Sequence, residues 1–134
     1  MALASSKTVK SVRPIVLDSS CWLEVFGGGS RAKLFQEQVA KVEALVVPVI
    51  TIYEVFKYIR RKLGDESASR AATYMQRGHV IDQNMALTLE AASNGLPLAD
   101  SLIYATAQLH RADLWTQDAH FEGLSGIKFF KKSS

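Results

Sequence analysis

The chain has 134 residues, 48% hydrophobic and 22% charged, which suits one globular domain with its own core and excludes a fibrous or disordered chain. Its formal charge of +3 is too mild to declare nucleic-acid binding by itself. No apolar run reaches the roughly 18 residues that span a bilayer, so no membrane partner is expected.

The opening MALASSKTVKSVRP is small, polar and basic and lacks the apolar centre of a secretory signal. Residues 1–13 are expected to be a short disordered lead or an expression remnant, and residues 14–134 a single domain. RPIVLD places β-branched residues after a proline and ends in Asp18, the pattern of a strand, and SSCWLEVF continues as a helix with a Ser at its start. The single cysteine, Cys21, cannot form an internal disulfide and reads as a buried structural thiol, with the cytoplasm as the default compartment. GGGS at 27–30 has the look of a synthetic linker. It runs straight into RAKLFQEQVAKVEA, where Ala32, Phe35, Val39 and Val42 recur at helical spacing, so a helix–helix turn capped by Ser30 is predicted.

ALVVPVI is the next strand, with Pro48 near its exit. TIYEVFKYIRRKLG gives a helix with Ile52, Val55, Phe56 and Ile59 on one face and Gly64 as its stop. DESASRAATYMQRG is a further capped helix, HVID a short strand, and NMALTLEAASNG a helix capped by Asn84 and stopped at Asn94-Gly95. Asp100 then opens the helix SLIYATAQLHRA, DLWTQ is a strand, Asp118 starts a short helical turn, and IKFF is the last strand. The chain shows no internal repeat.

Short strands alternating with helices imply right-handed crossovers and a mainly parallel sheet covered on both faces, an α/β fold. In isolation, Asp100 in LPLADSLIY is simply a helix cap. The crossover geometry adds a second reading. A helix of about 12 residues rises about 18 Å, and a strand of about 5 residues returns about 16 Å. Asp100 and Asp118 therefore reach the same edge of the sheet. Asp18 ends the first strand, and Glu54 falls in about the first turn of the helix after ALVVPV. Asp18, Glu54, Asp100 and Asp118 thus meet at the carboxyl edge, where α/β proteins hold their ligands. Each has an ordinary reading as a cap or a solvated residue. Together they repel one another unless a cation joins them. Divalent ions such as Mg²⁺ prefer carboxylate oxygens and phosphate, and two ions about 4 Å apart would clamp both oxygens of a phosphodiester in displacement. There is no GxGxxG, P-loop, CxxC, HExxH or GxSxG. His79 and His110 are unpaired at metal-ligand spacing and read as structural or exposed.

IVLDSSCWLEVF, PVITIYEVFKYIRR, LPLADSLIYATAQLHRADLWTQDAHFEGL and IKFF together resemble the PIN-domain ribonucleases, specifically the VapC-type toxins of prokaryotic toxin–antitoxin modules, over nearly all of residues 14–130. The resemblance implies a three-layer α/β/α sandwich with a central, mainly parallel sheet. It implies an endoribonuclease that uses one or two Mg²⁺ or Mn²⁺ ions to hydrolyse RNA, forms a homodimer, and is held inactive by a cognate antitoxin protein. Asp18, Glu54, Asp100 and Asp118 match the family's four acids, Ser20 the small hydroxyl after the first acid, and Thr116 the threonine of its TxD pattern. Many members carry a further acid where this chain has His120, which leaves the second metal open and makes His120 a candidate proton donor or phosphate contact. Lys57, Arg60, Arg61 and Lys62 are candidates for an RNA-backbone track, against a reading as a solvated helix face. The alternative is a catalytically silent scaffold of the same fold that binds RNA or protein.

Overall fold

The computed structural model describes residues 12–132. Of the expected lead, residues 1–11 lie outside the described residues. Arg13 is tied to the body by an ion pair to Asp113 at 2.9 Å.

The strands are β1 (Ile15–Leu17), β2 (Val46–Pro48), β3 (His79–Ile81), β4 (Asp113–Thr116) and β5 (Ile127–Phe129). All pairings are parallel: Val16 lies opposite Leu114, Val47 opposite Val80, and Trp115 opposite Lys128. A parallel bridge between Ile15 and Leu45 joins the two groups of strands into the order β3-β2-β1-β4-β5. The chain winds outward from β1 through β2 to β3, then crosses back to lay β4 on the other side of β1. The strand order therefore reverses between β1 and β4, the kind of place where open α/β sheets bind ligands.

The helices are α1 (Ser19–Phe26), α2 (Gln36–Ala40), α3 (Val49–Leu63), α4 (Asp65–Met75), α5 (Met85–Ala92) and α6 (Leu98–Leu109). Alternation along the strands sorts the core into two layers. Leu17, Val47 and Trp115 face α1, α3 and α4 and pack with Trp22, Phe35, Val55, Ile59 and Met75. Their neighbours Val16, Val46 and Leu114 face the other way and pack with Ile103, Ala107 and Phe121. Leu87, Ala91, Leu102 and Ala105 close that second side between α5 and α6. Both faces of the parallel sheet are thus covered, which gives the α/β/α sandwich. No described helix is long and apolar enough to cross a membrane.

Local structure departs from expectation in four places. The predicted helix over 31–44 is broken into the 3-10 turn Ala32–Leu34, α2, and the 3-10 turn Val42–Ala44, and Ser30 caps nothing. The Val39 carbonyl accepts the Tyr74 hydroxyl at 2.6 Å, so a tertiary donor takes the place of the next helical N–H. Helix α3 begins at Val49, directly after Pro48, which moves Glu54 into its second turn. Helix α4 follows Gly64 and has no side-chain cap. Helix α6 begins at Leu98 after an extended Pro97, so Asp100 sits within the first turn and caps nothing. Proline's fixed φ and missing N–H suit it to a helix start, which leaves the Asp100 carboxylate available elsewhere.

Candidate metal centre

Asp18 follows β1 directly and stays extended (φ −63°, ψ 157°), capping α1 through Oδ1, which accepts the Ser19 N–H at 2.8 Å. Its Oδ2 accepts the Thr116 hydroxyl at 2.8 Å and the Ser20 hydroxyl at 3.2 Å. Its backbone N–H donates to the Trp115 carbonyl at 2.9 Å. Thr116, fully buried at the end of β4, also accepts the Asp118 N–H at 2.9 Å. One hydroxyl therefore fixes the ends of two adjacent strands relative to each other and sets Asp118 beside Asp18.

Asp118 starts the 3-10 turn Ala119–Phe121 by accepting the His120 N–H at 2.9 Å. That turn folds the His120 ring back over the acids, with Nδ1 2.9 Å from Asp100 Oδ2 and 3.1 Å from Asp118 Oδ1. One ligand atom each from Asp100, Asp118 and His120 lies within 4.8 Å of the others. Glu54, on α3, accepts the Ser19 hydroxyl, which holds it on the Asp18 side of the cluster. Sequence reasoning passed over Ser19. The signal available was a second hydroxyl immediately after a capping Asp, on the first turn of the same helix.

The electrostatics follow from the placement. Burial pushes the Asp18 carboxyl up to about 6, against the Thr116 and Ser19 hydrogen bonds and with help from the charges of Asp100 and Glu54. Burial and then Asp118 raise Asp100, opposed by His120. The imidazole of His120 is raised by Asp118 and by its hydrogen bond to Asp100. Among the described residues, Asp18, Glu54, Asp100 and Asp118 make no ion pair with Lys or Arg. Asp100, Asp118 and His120 gathered within 4.8 Å of one another, with Asp18 and Glu54 beside them and no Lys or Arg partner among the described residues, are a donor set that fits a divalent cation.

The other candidates lie apart from this cluster. Lys57, Arg60, Arg61 and Lys62 are exposed along the later turns of α3. Arg60 pairs with Asp65 at 2.7 Å, Lys57 lies 5.5 Å from the Tyr53 ring, and Arg61 and Lys62 lie 5.4 and 5.8 Å from the Tyr58 ring. Tyr53, Phe56, Lys57, Arg60 and Arg61 line a surface hollow of about 640 Å³. His110 closes α6, its Nδ1 on the Thr106 carbonyl at 2.9 Å, and His79 lies in β3, so both are structural positions. Cys21 is buried, and burial raises its thiol well above the usual range, as an inert core cysteine requires.

An open parallel sheet with clustered carboxylates over the switch between β1 and β4 defines an α/β protein with an acidic, metal-type centre. The family model described as PIN domain matches residues 15–127, and the chain belongs to the PIN-domain family. Among solved structures, it is similar to a chain of a toxin–antitoxin complex from Klebsiella pneumoniae, at 24% identity and TM-score 0.72, covering 85% of this chain and 95% of that one. It is similar to VapC20 of Mycobacterium tuberculosis, a sarcin–ricin loop cleaving toxin, at 15% identity and TM-score 0.71, covering 84% and 96%. A chain of DNA-bound VapBC from Salmonella typhimurium gives 15% identity and TM-score 0.65, covering 89% and 98%. No curated protein sequence matches the chain.

Proposed function

We propose that the chain is a metal-dependent endoribonuclease and the toxin of a toxin–antitoxin pair, with residues 14–134 forming its single nuclease domain. Support comes from family membership, from folds shared with toxins, and above all from the cluster of Asp100, Asp118 and His120 within 4.8 Å of one another, beside Asp18 and Glu54 and without a Lys or Arg partner among the described residues. Asp18, Asp100 and Asp118 would hold the divalent ion, Mg²⁺ or Mn²⁺, directly or through water. The ion, when bound, would supply Lewis acidity to a water and to the phosphate oxygens. Ser19 occupies Glu54 Oε1, which leaves Oε2 to accept a proton from the attacking water and to orient it. Ser20 and Thr116 keep Asp18 aimed by donating to its Oδ2. Lys57, Arg61 and Lys62, with their flanking tyrosines, guide the RNA backbone. The natural partners are then RNA, a second copy of the chain in a homodimer, and an antitoxin protein that covers the acidic groove in the cytoplasm.

The test is RNA cleavage and growth inhibition by wild type and Asp100→Asn. The variant is expected to lose both while keeping its circular dichroism spectrum and thermal unfolding. Cleavage by pure Asp100→Asn at the wild-type rate would overturn the assignment. No cleavage and no metal-dependent thermal shift in wild type would favour the silent scaffold.

A further inference from the structure

Resting on the nuclease reading, we infer that His120 is a ligand of the metal and makes this centre select a first-row transition ion over Mg²⁺. Three observations carry the inference. Nδ1 of His120 points at the cluster, 2.9 Å from Asp100 Oδ2 and 3.1 Å from Asp118 Oδ1. Ligands on adjacent vertices of an octahedron with bonds of about 2.1 Å stand about 3.0 Å apart, which is the spacing the nitrogen already has to each of the two oxygens. The ring is held there by the 3-10 turn, whose first bond is the His120 N–H to Asp118 Oδ1 at 2.9 Å. Nδ1 is in hydrogen-bond contact with Asp100 Oδ2 at 2.9 Å; as a ligand it would turn its lone pair to the metal, and any proton it carries would leave to solvent.

The chemistry of the donor follows. Mg²⁺ binds oxygen and parts reluctantly with its waters, whereas imidazole is a good donor to first-row transition ions. An acid at this position would add a negative charge and an oxygen, favouring Mg²⁺. A neutral nitrogen adds no charge, so electrostatics alone holds Mg²⁺ less tightly, and only an ion that bonds well to nitrogen recovers the difference. Among the described residues, no other histidine or cysteine joins the cluster, so the selectivity rests on this one side chain.

The experiment titrates the metals alone, MnCl₂ and MgCl₂, into purified full-length protein by calorimetry. Wild type, His120→Ala, His120→Asp and Asp100→Asn are compared, and the Mn²⁺ complexes are examined by electron spin-echo modulation for ¹⁴N coupling. His120 is exposed, so its variants should fold, and thermal unfolding verifies this. Wild type should bind Mn²⁺ with a ¹⁴N signal that disappears in both His120 variants. The Mn²⁺-to-Mg²⁺ affinity ratio should fall on the order of tenfold in His120→Ala, and His120→Asp should gain Mg²⁺ affinity. Saturable Mn²⁺ binding that Asp100→Asn abolishes, with no ¹⁴N coupling and an unchanged ratio in His120→Ala, would overturn the ligand role and leave the nuclease reading standing. In that case the imidazole is only a hydrogen-bond donor to the acids. Absence of saturable binding in wild type would overturn both.

Discussion

Asp18 shows how one residue can serve two opposed ends. It caps α1 and joins β1 to β4, yet its carboxyl is pushed from 3.8 to about 6 by the burial that these contacts require. A folded-state pKa above the unfolded one means that the folded protein holds the proton more tightly. The stabilising contribution is complete below about 3.8 and is lost as pH rises through 6. By pH 7 the loss is roughly 3 kcal/mol, at about 1.4 kcal/mol per pH unit. Urea denaturation of metal-free protein should therefore show stability falling between about pH 4 and 6, and Asp18→Asn should flatten that segment. The same shift makes protons compete with metal. The increase in melting temperature on adding Mn²⁺ should be larger at about pH 7 than at about pH 5, measured by differential scanning fluorimetry. Thr116 is the neutral counterpart. Thr116→Val keeps the shape but removes a donor to Asp18 and an acceptor for the Asp118 N–H. It should lower stability by about 1–3 kcal/mol in the same denaturation assay and weaken metal binding.

At the level of elements, the legible parts were those that local pattern decides. The Val- and Ile-rich runs around Val16, Val47, Val80 and Leu114 read as strands because a sheet buried on both faces leaves no room for polar residues. Asp18 could be set at the edge of the sheet because it follows β1 directly, and Asp118 because only Gln117 separates it from β4. Asp100 was brought to the right edge of the sheet by the length of the crossover, but its role as a cap was wrong, since Pro97 starts the helix earlier. The 31–44 segment misled because its helical spacing is real and its breaks come from elsewhere in the chain. Tyr74 takes the Val39 carbonyl at 2.6 Å. Arg31 binds the Phe130 carbonyl at 3.0 Å. The His120 ring could not be oriented from sequence because its partner Asp100 is 20 residues away. Gly78 is another position whose reason is tertiary. A Cβ there would stand 2.7 Å from Val47 Cγ2 and 3.0 Å from the Val42 carbonyl, where the chain enters β3 against β2. Gly78→Ala should lower stability by about 1–3 kcal/mol, read by thermal unfolding, and leave metal affinity unchanged because the site is elsewhere.

For the whole molecule, the distribution of charge says more than the total of +3. Acids with no Lys or Arg partner among the described residues occupy the switch between β1 and β4, while α3 leads from Glu54 into Lys57, Arg61 and Lys62 interleaved with Tyr53 and Tyr58. An anionic polymer lying along that helix would have its backbone held by cations and one phosphate brought to the acidic cluster. Binding of a non-cleavable RNA to the Lys57→Ala/Arg61→Ala double variant should show a shallower dependence on salt, by about one unit of slope for each phosphate that is no longer neutralised. A slope equal to that of wild type would make these residues a solvated surface.

The position of β4 also bears on how the protein is made. This strand lies between β1 and β5, directly beside the first strand of the sheet, yet Thr116 at its end is 98 residues from its partner Asp18. Until β4 emerges from the ribosome, β1 has an open edge, Asp18 lacks its Thr116 donor, and Asp118 and His120 do not yet exist. The acidic centre therefore assembles only after β2, β3 and every helix of the sandwich have been translated. A chain that stops before β4 carries Asp18, Glu54 and Asp100 but lacks Asp118, His120 and the Thr116 donor, so it has nothing to close the site from the β4 side.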